Sequence, residues 1–281
     1  MQICDAHNDM LMNLNSIDEI NKYLNKYCYN NKVVNIFTAY YVSQSEEKKL
    51  SANEILEKIK YKFALLKNFN CLTPTLENIG FINNEETLEQ VIKLKPFCAT
   101  LTWNYDNNLA GGAYGESGLT SWGREVVAQL EANGIVVDIA HLNKRTFLEF
   151  SKITKYPIFC SHTSSRDVYN IPRALDSEQL EIIKSTNGYV GLCLYSTLLG
   201  DRKADLTEIL KHFSALIKIL GKNCLGLGTD FNATGECNPI DFDIDYNGVP
   251  YLLNEIINKY GRKTAEQFAG KNLKDFIRKI K

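Results

Sequence analysis

No stretch of the 281-residue chain approaches the roughly 20 uninterrupted apolar residues that a membrane-spanning helix needs. The amino terminus, MQICDAHNDMLMNLNS, has neither a basic segment nor an apolar one, so no secretory signal is expected and the protein is read as cytoplasmic. Charge of one sign is missing too. The 32 Lys and Arg face 33 Asp and Glu without a long basic run, which argues against a nucleic-acid partner. Proline is scarce at 6 residues, and with only 17 glycines the composition excludes collagen-like and low-complexity chains. The eight cysteines form no CxxC pair and are expected to be reduced. Five of them (Cys4, Cys98, Cys160, Cys193 and Cys224) lie in or beside apolar runs, where they read as small buried hydrophobes.

What is present is enough for a large core: 44% apolar and 11% aromatic residues with a net charge of −1, a balance that disfavours disorder. Short apolar, β-branched runs cover residues 3–6, 33–41, 71–76, 97–103, 134–141, 157–162, 189–195 and 224–231. Helical spacing fills the intervals. In 51–69, Ile55, Ile59, Phe63 and Leu66 share one face, and Ser51 with Glu54 predicts a capping box. Segments 120–133 and 205–220 are amphipathic and stop at Gly134 and Gly221, and 264–281 reads as a closing helix with a basic end. Eight strand–helix units of about 35 residues each predict an α/β chain folded as one (β/α)8 TIM-type barrel domain over 1–281. A doubly wound open sheet is the alternative, but no GxGxxG follows the first run. Segment 104–119, with GGAYG, reads as the longest flexible insertion.

Three of the four histidines stand at the ends of apolar runs: His7, His141 and His162. In a barrel, the carboxyl ends of the strands form the active-site face and bring such residues together. His7 and Asp9 are two apart, so in extended chain both point to one side and can bind one ion. Imidazole and carboxylate are ligand types that zinc accepts in open catalytic sites. Glu77 follows the third run and Asp230 stands near the end of the eighth. A carboxylate can bridge two ions or move protons, and either acid could equally cap a helix. His212 lies inside the 205–220 helix and reads as a surface or packing residue.

The stretches CDAHNDML, TLENIG, LTWNYDNNLAGGAYGESGLTSWG, GIVVDIAHLNKRTF, PIFCSHTSSRDVYNIPR, LGLGTDF and GKNLKDF together resemble the membrane dipeptidase (renal dipeptidase) family of zinc peptidases, in the amidohydrolase superfamily. The resemblance follows the family's order over nearly the whole chain. It implies a binuclear zinc site held by His7, Asp9, a bridging Glu77, His141 and His162. It implies that a metal-bound hydroxide cuts small dipeptides, including those with a C-terminal D-residue. By the same resemblance Arg173 holds the substrate carboxylate, and Asp230 lies near the substrate amine and the nucleophilic water. Family members are often homodimers. The chain departs from the pattern at Trp103, where the family has a histidine that helps stabilise the tetrahedral intermediate, and at Asn232, where it has an acid. It is also short and without the family's secretion and anchoring segments. An N-acyl amino acid or lactone hydrolase on the same metals, or a metal-binding homologue with little turnover, are the competing readings. Arg173 could also be a plain loop arginine, and Trp103 a rim or core residue.

Overall fold

The computed structural model describes residues 1–201, 204–233 and 246–280. Eight parallel strands close in chain order: β1 (Ile3–Asn8), β2 (Val33–Tyr41), β3 (Leu72–Glu77), β4 (Cys98–Thr100), β5 (Val136–Asp138), β6 (Phe159–Thr163), β7 (Tyr189–Leu192) and β8 (Leu225–Leu227). β8 returns to β1 through the Asp5–Leu227 pair. This is the expected (β/α)8 barrel. Its strands are largely buried because helices cover the outside and side chains fill the inside.

The helices start and stop where local chemistry directs. Ser51 Oγ accepts from Glu54 N, and the Glu54 carboxylate accepts from Ser51 N at 2.8 Å, which closes the box ahead of helix Ala52–Leu66. Thr120 caps Ser121–Ala132 and Asp205 caps Leu206–Leu220. Gly134 (φ 75°) and Gly221 (φ 70°) take the left-handed turn that ends those two helices. The closing segment differs from the single helix expected. It runs as Arg262–Glu266, a wider turn at Gln267–Lys271, then Asn272–Ile280. The break brings Gly270 against the start of β1, where a Cβ would lie 2.9 Å from Cys4 N and from Gln2 O.

Asn272–Ile280 plugs the amino-terminal mouth of the barrel. Phe276 stacks on Phe159 at 5.0 Å, and Phe159 on Tyr189 at 5.5 Å, in a cluster that includes Cys4, Phe37, Cys98 and Val136. Burying one such ring stabilises by about 1.5–3 kcal/mol. With that end filled by hydrocarbon, polar groups gather at the other. The seven described cysteines form no disulfide, six of them being buried and Cys71 half-buried; Cys237 lies outside the described residues. Among the described residues no helix is long and apolar enough to cross a membrane. Segment 104–119 is packed rather than loose: Leu109 and Ala110 are buried, and Asp106 accepts from the amides of Gly112, Glu116 and Ser117.

Candidate metal centre

Several strands are shorter than the apolar runs that announce them, and this decides how the site is built. β4, β5 and β8 each stop three residues before Trp103, His141 and Asp230. The extra apolar residues, such as Ile139, Ala140 and Leu101, are buried in loop backbone. His141 (φ 69°) and Asp230 (φ 61°), with Asn78 (φ 62°) beside Glu77, are non-glycine residues in the left-handed region. Backbone conformations of this kind gather at functional sites, where the surroundings hold them in place. His7 and His162 sit inside β1 and β6, and Glu77 is the last residue of β3. A register shift between Asp5 and Asn8 turns His7 into the mouth.

The side chains converge there. His7 Nε2 lies 3.3 Å from Asp9 Oδ1, 3.0 Å from Glu77 Oε2 and 3.7 Å from Asp230 Oδ1. The other oxygen of Glu77, Oε1, is 3.4 Å from His141 Nε2, which faces His162 Nε2 at 3.2 Å. Glu77 therefore divides two groups of acceptors, one oxygen toward each. His7, Glu77 and His162, and likewise His7, Asp9 and Asp230, each offer ligand atoms that lie within 4.8 Å of one another.

The donor count shows that this set suits a cation. His7 Nε2, Asp9 Oδ1 and Glu77 Oε2 are buried without a hydrogen-bond partner. Their short contacts are ion pairs only if His7 carries a second proton. Each unsatisfied buried polar group costs about 1–3 kcal/mol, more when charged, and one cation would satisfy all three. On the other side, His141 Nδ1 meets Asn104 Oδ1 at 3.1 Å, and His162 Nδ1 meets Ser161 Oγ at 2.8 Å. An amide oxygen only accepts, so Nδ1 of His141 carries the hydrogen and Nε2 keeps its lone pair. This second bond is the usual arrangement for a metal-binding imidazole. Asn104 lies next to Trp103, and its contact with His141 depends on the early end of β4.

In the metal-free chain a second proton on His7 takes the place of the cation. Burial alone would lower His7, but the carboxylates of Asp9 and Glu77 outweigh it and hold its pKa well above the ordinary value. Burial, with the Arg173 charge and His7 adding to it, pushes His141 and His162 well below theirs. Burial raises Glu77 against the pull of His7, and pushes Asp230 up to about 8. Without metal, the folded chain thus keeps protons on Asp230 and His7 that the unfolded chain releases, near 3.8 and 6.5. Both raised values make stability fall as pH climbs, and the two lowered histidines act only below 6.5. Protein stripped by a chelator should therefore lose thermal stability between pH 6.5 and 8 relative to metal-loaded protein. A chelated Tm that rises across this window would contradict these assignments.

A cavity of about 290 Å³ opens onto the cluster, and Asp9, Glu77, His141 and Asp230 line its base. Arg173 is 4% exposed, so it is no surface arginine. One Nη donates to the His162 carbonyl at 3.2 Å, while its buried Nε has no partner. Trp103 packs 5.0 Å from Tyr41 and 6.1 Å from His141, ring centre to ring centre, and forms part of the wall. Tyr41, Tyr114 and Tyr195 also line the cavity, and sequence reasoning did not single them out. Asn232 turns away to donate to Asn8 Oδ1 and Tyr23 OH. His212 stays apart, buried, with Nδ1 accepting from Ser165 N and Nε2 donating to Leu199 O, as a packing histidine would.

Fold and site together define a (β/α)8 barrel with a histidine–carboxylate cluster at the carboxyl ends of its strands. The chain belongs to the membrane dipeptidase family, peptidase family M19, whose model matches residues 30–281. The segment with His7 and Asp9 precedes that match. Over 167 residues, 55% of this chain, it is 29% identical to an uncharacterized protein in the pqqA 5′ region of Klebsiella pneumoniae, covering 60% of that protein. Over 192 residues, 65% of this chain, it is 29% identical to an uncharacterized dipeptidase of Schizosaccharomyces pombe, covering 45% of it. The chain thus spans less than two thirds of the curated relatives it matches. A metallo peptidase from Rhodobacter sphaeroides, solved with a phosphinate mimic of the dipeptide L-Ala-D-Ala, shares the fold with a TM-score of 0.82. The two are 17% identical, over 100% of this chain and 99% of that one.

Proposed function

We propose that the protein is a metal-dependent dipeptidase whose centre takes two zinc ions and which cuts the peptide bond of small dipeptides. His7 and Asp9 would hold one ion, His141 and His162 the other, and Glu77 both. The observation that carries this reading is Glu77, which offers one oxygen to the His7 group and the other to the His141 group. A divalent pair bound there supplies carbonyl polarisation and activation of a water molecule at neutral pH. The imidazole and carboxylate set accepts several divalent ions, and zinc is the one that such open sites commonly hold.

The remaining steps belong to the chain's own side chains. Asp230 borders the cavity, and burial, with the carboxylates of Asp9 and Glu77 adding to it, raises its proton affinity. It is placed to take a proton from the attacking water and pass it to the departing amine. Arg173 lines the same cavity and keeps a buried Nε–H without a partner, and a guanidinium there suits the free carboxylate of a dipeptide. Trp103 and Tyr41 wall the cavity and limit which side chains enter. The mimic bound to the R. sphaeroides relative ends in D-Ala, which places D-residues among the substrates to try.

The test is a panel of free, amidated and N-acylated dipeptides given to chelated and zinc-restored protein. Zinc-dependent cleavage of the free dipeptides is expected. Cleavage of N-acyl amino acids alone would favour the competing hydrolase reading. Arg173→Lys should raise KM about tenfold or more with a smaller change in kcat. A paired charge-assisted contact becomes a single one, and about 1.5–3 kcal/mol is at stake. Equal cleavage of amidated and free dipeptides would remove Arg173 from the carboxylate site.

Trp103→His restores the side chain usual in the family and should give a faster or broader enzyme, because one oxyanion donor is typically worth about 10²–10³ in rate. Collapse on every dipeptide, with fold and metal content intact, would show that the indole itself is required for turnover.

A further inference from the structure

Three seams of the barrel have a single register pair each: β8–β1 (Asp5 with Leu227), β3–β4 (Leu76 with Ala99) and β5–β6 (Asp138 with Phe159). Each seam is tied again by a buried side chain next to the cluster. Asp138 Oδ1 accepts from Ala140 N at 3.0 Å and, across the seam, from Ser161 N at 2.9 Å. Those amides immediately precede His141 and His162. Asp5 repeats the pattern. Its Oδ1 accepts from His7 N at 3.3 Å and from Thr229 N at 2.8 Å, immediately before Asp230, while its Oδ2 takes the hydroxyls of Thr229 and Tyr246. At the third seam a hydroxyl serves: Thr100 Oγ1 accepts from Asn78 N, next to Glu77, and donates to Thr102 O.

Asp5 is fully buried and Asp138 is 2% exposed. A buried carboxylate is costly in an apolar strand unless its hydrogen bonds do something that a hydrophobe cannot. Here each one joins two strands where one of them has ended (β5, β8) and the other shifts register (β6, β1), and both carry a cluster residue into the mouth. Main-chain bonds continue both seams (Ile139 N to Phe159 O, Asp230 N to His7 O) and Leu194 N donates to Thr229 O, but the amides of Ala140 and Thr229 go to the two carboxylates. The turn at Ala140 leads into the left-handed backbone of His141, and that at Thr229 into that of Asp230.

We infer that Asp138 and Asp5 are positioning residues, each setting the spacing of one half of the metal centre by clamping two strand ends together. Asp138 spaces His141 from His162, the holders of one ion, and Asp5 fixes His7, a holder of the other, against Asp230 beside it. This inference rests on the two-ion reading above and assigns the clamps to separate halves of it.

The experiment is calorimetric titration of metal-free protein with zinc, and of the same variants with cobalt(II) followed by visible absorption. Loss of a hydrogen-bonding partner behind a metal ligand typically weakens metal binding about 10–100-fold. Asp138→Ala should weaken one of two zinc sites by that factor and leave the other unchanged. Asp5→Ala should weaken the other site, and the two variants should alter different cobalt bands. Asp138→Asn keeps an oxygen for both amides and should restore wild-type binding. If Asp138→Ala does not fold, Asp138→Ser serves. Its hydroxyl can hold the local turn but cannot reach Ser161, so one site should still weaken. Two zinc sites of wild-type affinity in Asp138→Ala and Asp5→Ala would overturn the inference. So would equal weakening of both sites with a lowered Tm, the result of general loosening. Wild-type protein that takes up no zinc would overturn the two-ion reading itself, and the clamps with it.

Discussion

Glu77→Gln is expected to abolish measurable dipeptide hydrolysis, a loss of at least about 10²–10³-fold, and to leave fewer than two bound zinc ions per chain. The amide keeps the shape of the side chain but loses its charge. It can offer one oxygen, while its nitrogen meets the opposite group with hydrogens instead of a lone pair. The structure shows what that nitrogen would face: His7 Nε2 at 3.0 Å on one side or His141 Nε2 at 3.4 Å on the other. Either way one half of the centre loses its shared ligand. Metal content and activity should fall together, unlike the result of replacing a surface acid such as Glu57. A Glu77→Gln protein with two zinc ions and near-normal kcat would remove Glu77 from the bridging position.

Asp230→Asn should lower kcat by about 10²–10⁴-fold with a much smaller change in KM and two zinc ions retained. Asparagine preserves the buried shape and the left-handed backbone, which it tolerates well, but it cannot accept and release a proton. The drop should be seen on every dipeptide, because proton transfer to the amine is common to all. The variant also separates two roles for this carboxylate. If Asp230 were chiefly a ligand of the first ion, zinc affinity would fall with kcat, and the assignment of His7, Asp9 and Glu77 as that ion's holders would need revision.

The barrel was legible because eight β-branched runs alternate with capped amphipathic helices, and each device is local: Ser51 with Glu54, Gly134, Gly221. Strand lengths were not. Residues 134–141 form one apolar run, yet pairing ends at Asp138, because Ile139 and Ala140 bury their side chains from a loop as well as they would from a strand. Residue type alone cannot tell those cases apart. The left-handed turns at His141 and Asp230 are imposed by neighbouring strands and have no signature in their own segments. The same holds for the break at Gly270, set by the nearness of β1, which lies more than 260 residues away in the chain.

The cluster itself was within reach of sequence reasoning because its members stand at run ends, and closure of a barrel gathers run ends. What supports them was not. Asn104 reaches His141 only because β4 stops at Thr100, and Asp5 and Asp138 look like accidents inside apolar runs until their amide partners on the next strand are seen. A charged residue within a run that is otherwise buried is the signal that could have marked them, since such a group needs several partners to persist.

The proposed centre holds two ions divided by Glu77. Anomalous diffraction from a zinc-soaked crystal, recorded above and below the zinc absorption edge, tests this directly. Two peaks are predicted at the carboxyl-terminal mouth of the barrel, one among His7, Asp9 and Glu77 and one among Glu77, His141 and His162. A single peak, or zinc bound elsewhere while these five side chains stay unligated, would contradict it.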